Sequence, residues 1–235
     1  MRNLFKKVLL MMQVPNLVRY ITEQNNQKRE YSVYGEIPLI IKDFSPSEEV
    51  NYNLFVEEIE NTVPKSLLGN VEVIYIGEFP FLEGRNAVYQ DGAIYITNKE
   101  PTTYDLLEDF VHEVAHSIEG LPALLRSNEG IISEFLGKRQ RLKSILEQEG
   151  HKIPERYYTN LDYSEDFDMF LSDVVGYPLL LTLTIGLFVS PYGATSLEEY
   201  FANSFENYYL DSIDAVRKIS PQLYVFIDDL QNRKI

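Results

Sequence analysis

Apolar positions along the chain switch between a three-to-four-residue period and shorter clusters, and the switches lay out its elements. Residues 1–25 read as an amphipathic helix that ends near the polar run Gln24 to Gln27. Ile37, Leu39, Ile40 and Ile41 predict a strand over residues 34–42. Val50, Leu54, Val56 and Ile59, behind a Ser-Pro-Ser-Glu start signal, predict a helix over 47–61 that Pro64 closes. The β-branched run at 71–76 reads as a strand, and residues 87–90 and 93–97 flank Asp91-Gly92, a pair suited to a tight hairpin turn. Further on, Ile131, Ile132, Phe135, Leu142, Ile145 and Leu146 mark a long helix over 131–148, with Lys138, Arg139, Arg141 and Lys143 assigned to its solvated side. Strands and helices in the first half, followed by helices, favour an α+β fold.

The most informative helix lies between these halves. Leu107, Phe110, Val111, Val114 and Ile118 form one apolar stripe, Thr102 or Thr103 after Pro101 offers an N-cap, and Gly120 followed by Pro122 a stop. Across the helix from that stripe stand His112 and His116, with Glu113 beside the first, spelling H-E-x-x-H. The chain has three His in all, so two of them four apart around a Glu is a specific signal. Residues four apart project from nearly the same side of a helix, so two imidazoles there can grip one ion. Neutral imidazole is a good Zn²⁺ ligand, and a catalytic zinc site takes three protein ligands and leaves one position to water. Glu113 is then placed to take a proton from that water and return it to a leaving amine.

Composition narrows the rest. With 45% hydrophobic and 24% charged residues, the 235-residue chain reads as globular, with length for one substantial domain or at most two small ones, and a single domain over 1–235 is expected. A formal charge of -15 argues against nucleic-acid binding, and either favours basic peptides or proteins as partners or serves solubility. There is no Cys, so a metal must be held by His and carboxylates. Arg2, Lys6 and Lys7 before Val8 to Met12 mimic the start of a signal peptide, but Gln13, Pro15 and Asn16 break the run and favour the helix reading. Residues 179–189 are the most apolar run; too short for the ~20 residues of a membrane span, they read as buried core. The acidic and aromatic stretch 157–173 lacks the regular positions of a Ca²⁺ loop and reads as surface. His151, at a helix end, reads as an ordinary C-terminal His. A strand beside the metal helix could also take up an extended peptide at the sheet edge.

The third ligand must be a carboxylate, because position 122, where an extended motif would carry a third His, is Pro. On a predicted helix over 197–209, Leu197, Phe201, Phe205 and Tyr208 cluster on one face, and Glu199 lies roughly opposite with Asn203 and Glu206. Glu199 is the first choice and Glu198 the second.

These residues resemble a family: the zinc peptidases similar to the catalytic domain of anthrax lethal factor, including the Pro-Pro endopeptidases. His112 to His116 matches their H-E-x-x-H helix, and Tyr192 followed by Glu199-Tyr-Phe-Ala-Asn-Ser-Phe205 looks like their later Tyr and E-x-F-A-E-x-F. The resemblance implies a zincin-like fold with a mixed sheet, an active-site helix and a helical C-terminal half. It implies His112, His116 and Glu199 as zinc ligands in a gluzincin-like set, Glu113 as general base and Tyr192 as the donor to the oxyanion. A secreted bacterial protein, such as a toxin, is the setting that it implies. The amphipathic segment at 220–230 is a further similarity. Two departures stand out. Asn203 occupies the place of a supporting Glu, where an amide oxygen can still accept a hydrogen bond but the charge is gone. The stretch between the motifs is also longer, which implies a helical insertion at about 121–190 that caps the cleft or binds a substrate protein. The expected activity is a zinc-dependent endopeptidase acting on a peptide or protein. The alternative is a catalytically silent module of the same build, serving as a toxin subunit or scaffold.

Overall fold

The computed structural model describes residues 29–232 apart from residue 83, so the predicted N-terminal helix and the signal-like start lie outside the described residues. The architecture is α+β: a five-stranded mixed sheet and a helical C-terminal half. The chain divides into two compact units, one made of residues up to Asn61 with Glu72–Leu107, the other of Thr62–Val71 with Glu108–Ile235.

The first unit carries the sheet. Its strands are β1 (Glu30–Val33), β2 (Ile37–Ile41), β3 (Val73–Gly77), β4 (Ala87–Gln90) and β5 (Ala93–Thr97), with helix α1 (Tyr52–Thr62) between β2 and β3. They lie in the order β1-β2-β3-β5-β4. The inner pairs β2-β3 and β3-β5 are parallel, and the outer pairs are antiparallel hairpins. Register explains the core. Leu39, Ile74 and Ile94 sit in line, as do Ile41, Ile76 and Ile96, and all six are buried. The other face bears the stacked rings of Tyr75 and Tyr95, with Phe79 and Phe81 edge-on to Tyr95.

Both hairpins turn on two residues of positive φ, Tyr34-Gly35 and Asp91-Gly92, the conformation that suits tight turns between twisted strands. The Asp91-Gly92 hairpin forms as expected. At Tyr34 the reading differs: residues 34–36 are a turn, and Glu30–Val33 is an extra strand. Tyr accepts the left-handed conformation only against a steric cost, so its identity gave no turn signal. Helix α1 also starts later than predicted, because the Asn51 side chain, accepting from the N–H groups of Asn53 and Leu54, caps it.

The second unit is helical. After the motif helix α2 (Thr103–Ser117) come α3 (Leu121–Ser127), α4 (Glu129–Gln148), α5 (Arg156–Thr159), α6 (Glu165–Met169), a π-helical stretch (Phe170–Gly176), α7 (Tyr177–Leu183), a 3₁₀ turn (Pro191–Ala194), α8 (Leu197–Leu210), α9 (Ile213–Ile219) and α10 (Pro221–Asn232). Helix α8 is its centre: α3, α4, α9, α10 and the 3₁₀ turn all pack on it. Tyr200, Phe201 and Phe205 are fully buried there, against Phe135, Phe188 and Phe226.

Three expectations for this unit change. Lys138 and Arg139 are buried, not solvated. They follow Phe135 by three and four residues and precede Leu142 on the same face of α4, so helical geometry turns them inward whatever their charge. The Lys138 ammonium donates to the carbonyls of Leu187 and Ile219, and the Arg139 guanidinium to those of Ala194, Thr195 and Tyr157. The apolar run 179–189 is only half buried. Leu180, Thr184, Leu187 and Phe188 follow a helical spacing and face inward, while Leu179, Leu181 and Ile185 are exposed. Among the described residues no helix is long and apolar enough to cross a membrane. In the acidic stretch the carboxylates Asp162, Glu165, Asp166 and Asp173 are exposed as read, but Tyr158, Phe167 and Leu171 enter the core.

Candidate metal centre

The site residues lie in the second unit, on two helices and one turn, though the first residues of helix α2 are counted with the first unit. Helix α2 starts at Thr102, whose hydroxyl accepts from the Asp105 N–H at 3.2 Å, while the Asp105 carboxylate accepts from the Thr102 N–H at 3.0 Å. That reciprocal cap sets the helix phase. Phe110, Val111 and Val114 are then fully buried, and His112 and His116 keep partial exposure on the other side. Helix α8 is capped by Ser196, whose hydroxyl accepts from the Glu199 N–H at 3.0 Å. Glu199 therefore lies in the first turn of a helix whose apolar faces leave it few directions in which to turn.

Three ligand atoms converge. His112 Nε2 is 3.1 Å from Glu199 Oε2, the two Nε2 atoms are 3.3 Å apart, and His116 Nε2 is 3.5 Å from Glu199 Oε1. Glu199 is 87 residues from His112 in sequence. Ligands at ~2.0–2.1 Å from one four-coordinate ion stand about 3.3–3.4 Å from each other, and here one ligand atom from each of the three side chains lies within 4.8 Å of the other two. Among the described residues, this is the one group of three or more such side chains that could hold a metal ion. The sequence's first choice, Glu199, is thus the carboxylate that meets both His. Its second choice, Glu198, instead accepts from Arg126 at 2.9 Å. His151 lies against the Phe170 ring.

The electrostatics of the group are strongly coupled. Burial disfavours charge on His112, but hydrogen bonds to Glu199 and Glu206 outweigh it and raise its pKa to about 10. Burial likewise works to raise the Glu199 pKa, and the hydrogen bonds from His112 and His116 overcome it, bringing the carboxyl down to about 2. A cation bound between these groups would take the place of the proton on His112, since imidazole binds a metal only when neutral at the ligating nitrogen.

The two remaining predicted residues are Glu113 and Tyr192. Glu113, directly after His112, is buried. Tyr192 sits in the 3₁₀ turn, with its N–H on Ser190 Oγ and its carbonyl accepting from the Thr195 N–H and hydroxyl. Burial first, then the charges of Glu199 and Asp168, push the Tyr192 pKa well above that of an ordinary phenol. The hydroxyl therefore keeps its proton and can donate. Arg139 donates to the carbonyl of Ala194, the last residue of the turn, and to that of Thr195 just after it.

Asn203 does not face the His pair as an acceptor; its amide nitrogen donates to the Glu199 carbonyl at 2.9 Å, within its own helix. Glu206 reaches His112 instead, with Oε2 3.2 Å from Nδ1. The sequence places Glu206 on the same face of α8 as Glu199, and its seven-residue spacing from Glu199 is the signal that points to it. Tyr163 and Tyr177, which both donate to Asp168 at 2.7 and 3.3 Å, carried no such signal. No protein-family model matches this chain, no curated protein matches it, and no solved structure matches it.

Proposed function

We propose that this protein is a zinc-dependent endopeptidase with a zincin-like fold, and that His112, His116 and Glu199 hold the ion. One observation carries the reading: two imidazoles on α2 and a carboxylate on α8 bring one ligand atom each within 4.8 Å of one another. The donor set also suits zinc. Two imidazoles and one carboxylate, without thiolates, make a catalytic-type set of three that leaves a position open. A bound zinc would supply a Lewis acid that acidifies water and polarises a carbonyl.

The chain's own residues do the rest. Glu113 takes the proton of the attacking water and delivers it to the leaving nitrogen. Tyr192, kept protonated by its surroundings, donates a hydrogen bond to the oxygen on which charge develops. The resemblance to the lethal factor-like and Pro-Pro endopeptidases assigns the same roles to the same residues, and the α+β architecture with a helical second half agrees with it.

Metal analysis and cleavage of a peptide library, with wild type and Glu113→Gln, test this. The expected result is one zinc per chain in both proteins, chelator-sensitive cleavage by wild type, and a loss of roughly 10²–10⁴-fold in rate for the variant. Zinc bound without cleavage of any peptide would support the silent binding module. Failure to bind metal at all would overturn both.

A further inference from the structure

We infer that Glu206 is the positioning residue that orients the His112 imidazole for the metal, a role which rests on the metal-binding reading above. The geometry comes from α8. Seven steps of 100° fall only about 20° short of two full turns, so Glu199 and Glu206 share one face, about 10.5 Å apart along the axis. The His112 ring spans that interval. Its Nε2 meets Glu199 Oε2 at 3.1 Å and its Nδ1 meets Glu206 Oε2 at 3.2 Å.

Carboxylate oxygens face both ring nitrogens, so each nitrogen has a partner for a proton. When a cation takes the place of the proton at Nε2, the neutral ring keeps its proton at Nδ1, on Glu206. Nε2 is left as the atom that can give its lone pair to a cation, and the hydrogen bond at the far side of the ring raises its basicity. Ring plane and ligating atom are thus both set from one helix, which also supplies the third ligand. Asn203, one turn closer to Glu199, is buried and its amide nitrogen donates to the Glu199 carbonyl, while it is Glu206 that meets His112 Nδ1. A carboxylate two turns on does what an amide one turn on does not.

Chelator competition for zinc and the visible spectrum of the cobalt-substituted protein test the assignment, with Glu206→Ala, Glu206→Gln and, as control, Glu198→Gln. Thermal unfolding of each metal-free protein establishes that it folds. Glu206→Ala is expected to raise the zinc dissociation constant about 10–100-fold and to shift the cobalt bands. Glu206→Gln, whose amide oxygen still accepts from Nδ1–H, is expected to recover part of that loss, and Glu198→Gln to leave both readouts alone. Wild-type affinity and an unshifted spectrum in Glu206→Ala would overturn the role while leaving the metal site standing. So would an equal weakening by Glu198→Gln, which would show that bulk charge alone matters. A wild-type protein that binds neither ion removes the metal reading and this inference with it.

Discussion

His112 is held at both nitrogens by carboxylates of one helix, Glu199 on one side and Glu206 on the other. At this scale the pattern of residue types was informative wherever chemistry forces a narrow choice. Two His four apart around a Glu, and one carboxylate opposite an apolar stripe, were readable because few residue types can ligate a metal. Glu206 was not, because an acidic residue on a helix face is ordinary until its partner is known. Tyr192 is the residue on which a catalytic role is most exposed to test. Tyr192→Phe removes one hydroxyl and leaves the ligands intact, so kcat should fall about 10²–10³-fold while zinc affinity is unchanged. Steady-state kinetics alongside zinc titration check this; an unaltered kcat would take Tyr192 out of the mechanism.

Among the elements, α4 shows most clearly what periodicity tells and what residue type hides. The spacing of Phe135, Lys138, Arg139 and Leu142 is that of a single helix face, yet charge argued for solvent at the middle two. The fold resolves this by giving each cation backbone carbonyls to bind. Arg139 is thereby the clamp that fastens the Tyr192 turn to α4. Replacing it with Met keeps an apolar stem but abandons buried carbonyls, each worth roughly 1–3 kcal/mol when left unsatisfied. Arg139→Met should destabilise the protein by about 2–4 kcal/mol in urea unfolding and, in the fraction that folds, lower kcat more than zinc affinity. Wild-type stability would show that the clamp contributes nothing.

For the molecule as a whole, pH dependence of stability offers a test that does not involve the metal. Burial, with a smaller push from Arg141, lowers the Lys138 pKa from 10.5 to about 8 against the opposing charge of Glu134. Below about 8 the group is charged in folded and unfolded chains alike. Between that value and 10.5 the unfolded chain holds a proton that the folded one has released, so this group makes stability rise with pH across the window. Unfolding free energies of wild type and Lys138→Met, compared from about pH 8 to about pH 10, should differ by an amount that moves in favour of wild type as pH rises. A constant difference would mean that the two carbonyls hold the ammonium charged throughout.

The amino-acid sequence by itself determined the α+β class, the Asp91-Gly92 hairpin, the motif helix with its cap, and a short set of residues able to ligate a metal. Each of these depends on neighbours within a turn or two of backbone, where spacing and residue type carry the information. Tertiary structure alone decided which atoms meet: that Glu206 rather than Asn203 backs His112, and that the carbonyls of Leu187, Ile219, Ala194, Thr195 and Tyr157 receive Lys138 and Arg139. Those outcomes depend on contacts between segments far apart in the chain, such as the packing of Tyr200 against Phe135 and Phe188, which no local pattern writes.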